Sequence, residues 1–494
     1  MRPVLQEVET AHTPESLVET VGAGAGLVLL RSQLFDSPQA RYSFVAADPF
    51  LMLRAAGARC EIQSNGGSSV QFGDPWHVLD GLMARYELLD DLDLPFPLGG
   101  CFGYWGYDLK NFVEPRLGRR AVHDLELPDC LVGFYDSLVV FDHCLDKAWV
   151  VSTGLRADGS RDPGHAARQL EWWREQLRTE PAVTPAAVSS GSGLAGSPEW
   201  HSTLSREAFV SAVESAQRYI RAGDIYQVNL SHRLTAGLRC SGWEFYQRLK
   251  AVSPAPFSAY LDGGDFQLAS ASPEMFLRLS GPHVVTRPIK GTRPRSADPT
   301  RDAQLSYELQ TSPKELAELL MITDLLRNDL GRVCEYGTVQ VPELVKLERY
   351  PQVQHLVSTV EGRLWPGLTH FEAFARCFPG GSITGAPKIR AMEIIDELEP
   401  VARGPYTGCL GYLGFNRESQ LSIVIRTAIC QGGQVHYYAG AGIVADSNPL
   451  AEYEETLAKA GGFLRVLATD AALHPSQTRR HQRDVKCHPR MDED

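Results

Sequence analysis

The sequence predicts an α+β protein with sheets packed in layers, and three observations carry that reading. Before residue 179, short β-rich runs such as "AGLVLLRS", "RYSFVAADPF" and "DSLVVFDH" alternate with turn signals. After residue 200 the helical patterns lengthen while the strands stay short. Runs of strands with segregated helices, in place of a regular strand–helix alternation, argue against a doubly wound parallel sheet.

Residues 1–178 make the first region. Its opening, "MRPVLQEVETAHTPESLVET", has acids and proline where an export signal needs an apolar core. Residues 179–200 are rich in Pro, Ser, Gly and Ala without period, which reads as a linker or surface loop. The second region, residues 201–468, begins with the helical "REAFVSAVESAQRYIRAG", stopped by Gly223. It continues through the strands "QLSIVIRTAICQ" and "QVHYYAGAGIVA" to the helical "AEYEETLAKAGGFLRVLATD". Residues 469–494 turn polar and charged and are expected to form a disordered tail.

A chain of 494 residues, 43% of them hydrophobic, can bury a large core. Its net charge of -12 supplies no basic block, so neither nucleic acid nor an acidic membrane surface is an expected partner. The ten cysteines are scattered without a CxxC, as in reduced, cytoplasmic proteins. No apolar run is long enough for a membrane span.

Several motifs carry chemistry. Glu315 and Glu318, and again Glu452 and Glu455, stand three residues apart on predicted helices, so each pair shares a face. Two such faces across a cleft suit Mg²⁺, which takes one or two direct carboxylates and keeps its waters; solvated helix acids are the alternative. Lys459 lies on the face of Glu452 and suits an anion beside that metal. "FPGGSITGAPK" runs from a loop into a helix and offers backbone N–H groups to an anion, but Lys388 is displaced from the place a phosphate-binding loop requires. Gly440, Ala441 and Gly442 offer either a second anion cradle or a tight turn after a strand. "GGCFG" has the G-x-C-x-G form of a thiol nucleophile, yet no His and Glu follow to activate Cys101, which is read as structural. Arg426, read inside an apolar strand, needs an internal acid or a bound anion to offset its desolvation. His355 alone reads as a core or strand histidine. In "RPIKGTRPR", Lys290 stands among Arg287, Arg293 and Arg295, as an anion-binding cation or as a nucleophile.

Taken in order, "GDIYQVNLS", "SASPEMF", "RPIKGTRPR", "MITDLLRNDLGRV", "HLVSTVEG", "FPGGSITGAPKIRAMEIIDELEP", "GYLGF", "SIVIRT" and "AGAGIVADSNPLAEYEET" resemble the chorismate-utilising enzymes, densely over residues 200–465. The resemblance implies two large packed antiparallel β-sheets with helices on the outside. It implies Glu318 and Glu455 as direct Mg²⁺ ligands, with Glu315 and Glu452 acting through water. Tyr406 and Arg426 match positions that bind the enolpyruvyl carboxylate of chorismate. Gly440, Ala441, Gly442 and Lys459 match those around the ring carboxylate, and Ser382 and His355 match the pocket. Glu274 matches the general acid.

Lys290 separates branches of the family. Anthranilate synthases resemble this segment with alanine at that position and aminate C2. The aminodeoxychorismate synthase branch carries lysine, which attacks C2 so that ammonia can enter at C4. That role requires a neutral amine, and Arg287, Arg293 and Arg295 are expected to disfavour its charge. Isochorismate and salicylate synthases resemble the family with a lysine base where this chain has Gln227. The resemblance further implies a separate glutamine amidotransferase subunit supplying ammonia. Ser32, Arg41, Tyr42, Ser43 and Phe44, with Pro256, Phe257 and Ser258, match the place where relatives bind tryptophan. The rival expectations are C2 amination, and a catalytically idle, tryptophan-binding subunit.

Overall fold

The computed structural model describes residues 2–22, 24–32, 41–88, 94–181, 199–350 and 353–473. Among these, the strands form two twelve-stranded sheets through antiparallel pairings. The strands of both regions are interleaved. In the first sheet Val28–Arg31 pairs with Phe257–Asp262, and in the second Gly100–Trp105 pairs with Cys409–Gly414. The 179–200 segment therefore joins two stretches of one folded body, and residues 182–198 of it lie outside the described residues.

Aromatic side chains fill the space between the sheets. Phe102 stacks on Tyr412 at 5.3 Å, and Phe44 meets the same ring edge-on at 5.1 Å. Each such buried ring contributes roughly 2–3 kcal/mol of transfer free energy. All six residues of Gly100–Trp105 and of Cys130–Tyr135 are buried. Covered on both faces, these strands read as unbroken apolar runs without alternation. Helices cover the outer face of the first sheet, where Trp173, Phe245, Tyr246 and Phe463 join a second apolar cluster.

Two corrections to the expected elements follow. "QLSIVIRTAICQ" is two strands, Glu418–Ile423 in the second sheet and Thr427–Gln431 in the first. The chain crosses between the sheets at residues 424–426, and Arg426 sits there with φ +53°. The last helical pattern divides at Ala460 into Pro449–Lys459 and Gly461–Leu473. The second helix carries on past the expected tail boundary at 469; residues 474–494 lie outside the described residues.

Candidate functional site

A second crossing lies beside the first. The strands Phe266–Ser272 and Met275–Ser280 belong to different sheets, and Glu274 occupies the step between them. Ser272 Oγ donates to Ile423 O at 2.6 Å and Ala271 N donates to Arg426 O at 3.0 Å, so the two crossings are bonded together. This fixes Glu274 and Arg426 near one another at the mouth between the sheets. Among the described residues no carboxylate pairs with Arg426, and the guanidinium is left for an anion. Glu274 is 7% exposed. Burial pushes its carboxyl above the usual range, outweighing the Ser382 hydroxyl and the nearby Lys290 and Lys459.

Lys290 comes from the strand Ile289–Pro294, where the register with Val353–Arg363 breaks: Lys290 opposes Leu356, and Thr292 opposes His355. Gly291 is the extra residue. Its φ of +72° suits glycine, and a Cβ there would lie 2.7 Å from Leu309 and 3.0 Å from Glu315. The bulge sends Lys290 toward the helix Pro313–Gly331, with Nζ 3.9 Å from Glu318. Lys290 Nζ also lies 3.7 Å from the point where a Cβ of Gly442 would stand, and Gln227 Nε2 lies 2.4 Å from that point. The three neighbouring arginines are each committed to a carboxylate: Arg287 to Glu348, Arg293 to Glu315 and Arg295 to Asp302. Their expected repulsion of the Lys290 charge is therefore answered by these acids, and the amine itself faces the anion Glu318.

Gly440, Ala441 and Gly442 lie inside the strand Gln434–Ile443, paired with Ser231, Leu230 and Asn229, so the expected turn is absent there. Thr427–Gln431 pairs no further than Tyr437, which leaves this stretch of strand facing the crossing on that side. Lack of a Cβ at Gly440 admits Tyr406 Oη and Asn229 Oδ1, 2.8 and 2.6 Å from where it would be. Tyr406 is buried, stacks on Tyr438 at 5.0 Å, and its hydroxyl is held protonated by that burial. Gln227 Oε1 and Asn229 Oδ1 are buried without a hydrogen-bond partner, and the Asn229 oxygen is aimed at Gly440 while Gln227 turns its Nε2 to Gly442. His355 bonds Thr292 Oγ1 through Nδ1 at 2.9 Å, and burial, with Arg426 adding to it, drops its pKa to about 4.

The four glutamates are carried by the helices Pro313–Gly331 and Pro449–Lys459, with Glu315 and Glu455 near enough to Glu318 to act on its charge, though no three of the four bring their oxygens within 4.8 Å of one another. Lys314 reaches across, 3.3 Å from Glu452 and 4.0 Å from Glu318. Glu455 pairs with Lys459 at 2.7 Å, and Lys459 Nζ also donates to Gly440 O. Burial raises the Glu318 carboxyl, and Glu315 and Glu455 add to that against the pull of Lys290 and Lys314. In Glu455 burial acts the same way, but Lys459, Lys314 and Lys290 win and its pKa is lowered. Glu452 is 3% exposed and its Oε2 has no hydrogen-bond partner. An orphaned buried carboxylate oxygen in an all-oxygen donor set fits a hard cation such as Mg²⁺, whose remaining positions are waters. Lys314 carried no signal in the sequence beyond its spacing from Glu318.

Six of the eight residues expected around tryptophan, Ser32, Tyr42, Phe44, Pro256, Phe257 and Ser258, line a small cleft together with Tyr412. Arg41 and Ser43 do not. Strand alternation turns Ser43 to the other face, where its Oγ lies 2.6 Å from His143 Nε2, and Arg41 pairs with Asp142. Cys101 is fully buried in Gly100–Trp105, and desolvation pushes its thiol well above the usual range, against any nucleophilic role.

The profile of the chorismate binding enzymes matches residues 31–465. Anthranilate synthase component 1 of Thermus thermophilus is 43% identical over 461 residues, covering 92% of this chain and 95% of that one. Aminodeoxychorismate synthase component 1 of Salmonella typhimurium is 40% identical over 442 residues, covering 89% and 92%. The crystal structure of anthranilate synthase component I from Streptococcus pneumoniae superposes with a TM-score of 0.74 at 32% identity, over 87% of this chain and 93% of that one.

Proposed function

The chain belongs to the chorismate-binding enzymes, and from that premise we propose that it aminates chorismate at C4 to 4-amino-4-deoxychorismate. The observation that supports C4 over C2 is Lys290, a mostly buried amine between Glu318, Gly442 and Gln227. Its Nζ forms a bond to C2 of the ring while the double bond shifts and the C4–oxygen bond breaks. Glu274 gives the departing hydroxyl a proton, so water leaves. Ammonia then bonds to C4, the electrons return, the C2–nitrogen bond breaks and Lys290 is released; Glu274 recovers its proton from the incoming nitrogen. Two displacements replace one difficult step.

Arg426 and Tyr406 bind the enolpyruvyl carboxylate in this reading; Lys459 and the Gly440–Gly442 backbone receive the ring carboxylate, and Ser382 and His355 close the pocket. Glu318 and Glu455, with Glu315 and Glu452 through water, would hold Mg²⁺. Bound there, the ion would supply positive charge for the ring carboxylate. The nitrogen comes from a glutamine amidotransferase subunit, and the cleft lined by Tyr42 and Phe44 takes tryptophan. C2 amination with loss of pyruvate is the competing reading, since relatives of both names match at similar identity.

The protein incubated with chorismate, Mg²⁺ and ammonium is expected to give 4-amino-4-deoxychorismate by liquid chromatography and mass spectrometry. Fluorescent anthranilate as the main product would overturn the assignment. Lys290→Ala should lose product formation by about a hundredfold or more. Wild-type protein with chorismate and no ammonia should carry an adduct on Lys290 of chorismate less water.

A further inference from the structure

The buried ion pair Asp329–Lys388 takes no part in the steps above, yet it lies between two parts that do. Asp329 stands near the end of the helix Pro313–Gly331, whose first turns carry Glu315 and Glu318. Lys388 opens the helix Lys388–Leu398, shortly after the short turn Gly381–Ile383 that holds Ser382. Lys388 Nζ lies 2.7 Å from both Asp329 oxygens and donates to Cys377 O at 3.3 Å. The two side chains are 12% and 3% exposed. One ammonium thus holds both ends of the 378–387 loop against one helix. In the middle of the loop the contact is as close: a Cβ on Gly381 would stand 2.5 Å from Leu325 Cδ2 of that helix. From this turn Ser382 faces the Glu274 carboxyl closely enough to favour its charged form.

We propose that Asp329 and Lys388 are positioning residues that set the Ser382 hydroxyl on Glu274 and hold it in one frame with the glutamates of the Pro313–Gly331 helix. Stability alone is a poor reason for the pair, because an apolar pair of similar volume is often as good or better in a buried setting. What the charged pair adds is direction: two short charge-assisted bonds and a third to a carbonyl fix the loop in position and in angle. The loop has other ties, Arg403 Nη1 to Ile383 O and Asn229 N to Thr384 O, but these run to the first sheet and its neighbours. The ion pair, the Cys377 thiol donating to Asp329 O at 3.7 Å and the Leu325 contact tie the loop to the helix of Glu315 and Glu318. The charged groups facing Glu274 are Lys290 and Lys459, and the Ser382 hydroxyl faces it as well. Loosening Ser382 removes an interaction that lowers the Glu274 pKa, so the titration should move upward.

The proposal rests on Glu274 acting as the general acid, and the test keeps the two apart. Asp329→Leu and Lys388→Met are made together, which avoids a lone buried charge, and are compared with Ser382→Ala, Glu274→Gln and Lys388→Arg. The double variant should keep its circular dichroism and cooperative unfolding. Its kcat should fall about tenfold or more with KM little changed, and its pH–rate limb should move upward as in Ser382→Ala. Lys388→Arg should keep more activity, with a smaller shift in the same direction. A folded double variant with wild-type kcat and limb overturns the proposal; if it fails to fold, wild-type kcat and limb in Lys388→Arg overturn it instead. A wild-type rate in Glu274→Gln would remove the acid role itself.

Discussion

Glu274 concentrates the chemistry at the scale of one residue. Burial favours its protonated form, so it holds a proton at pH values where an exposed glutamate has lost one. Glu274→Gln cannot give or take that proton and should lower kcat by about a hundredfold or more while chorismate still binds. The pH–rate limb that vanishes in this variant should lie above the ordinary glutamate value, and a limb unchanged by the substitution would assign it elsewhere. Contiguous motifs drew attention to residues that the fold brings close together: Glu274 in "SPE" and Lys290 in "PIKG" lie near enough for the amine to act on the carboxyl. Partners were not legible, because Arg293 finds Glu315 and Arg287 finds Glu348 only after folding. Lys388, dismissed as a phosphate ligand for its spacing, takes its role from Asp329 in a distant helix.

Among elements, the strand Gln434–Ile443 shows how much a missing side chain can do. Gly442 leaves the space into which both Gln227 and Lys290 point. A methyl at Gly442 would displace the flexible end of Gln227, 2.4 Å away, in the space beside Lys290, so Gly442→Ala should fold with a near-normal unfolding temperature and lose kcat by about tenfold or more. A variant that folds and turns over normally would show that the amine does not need this space. Helices were well read from the sequence, since Gly223 ends Arg206–Ala222 in a left-handed cap as its pattern requires. "QLSIVIRTAICQ" was misread as one strand because a crossing between sheets covered on both sides leaves no polar interruption. Its one signal was Arg426, taken as a charged residue in a strand when it marks the strand's end.

For the whole molecule, burial brings five histidines, His143, His232, His355, His370 and His436, to about 4. The sign follows from linkage. Their folded pKa lies below the unfolded value of 6.5, so the unfolded chain takes up protons first as pH falls. Their contribution to stability is present above about 6.5, declines below it and is gone below about 4, a loss of at most roughly 3 kcal/mol for each histidine. Thermal unfolding at pH 7.5 and at pH 5 should show the drop, and His370→Gln should shallow it; equal midpoints at the two pH values would contradict the burial argument. The layered α+β architecture was legible in the sequence, but the sharing of both sheets by the two regions was not, since pairing between distant strands leaves no local trace.

That sharing has a consequence for the growing chain. Val28–Arg31 waits for Phe257–Asp262, and Gly100–Trp105 for Cys409–Gly414. As it leaves the ribosome, the first region holds strands whose neighbours have not yet been made. Neither sheet can close until late in synthesis, so apolar strand edges stand open for most of translation. The time the chain spends with these edges open is thereby set by its topology.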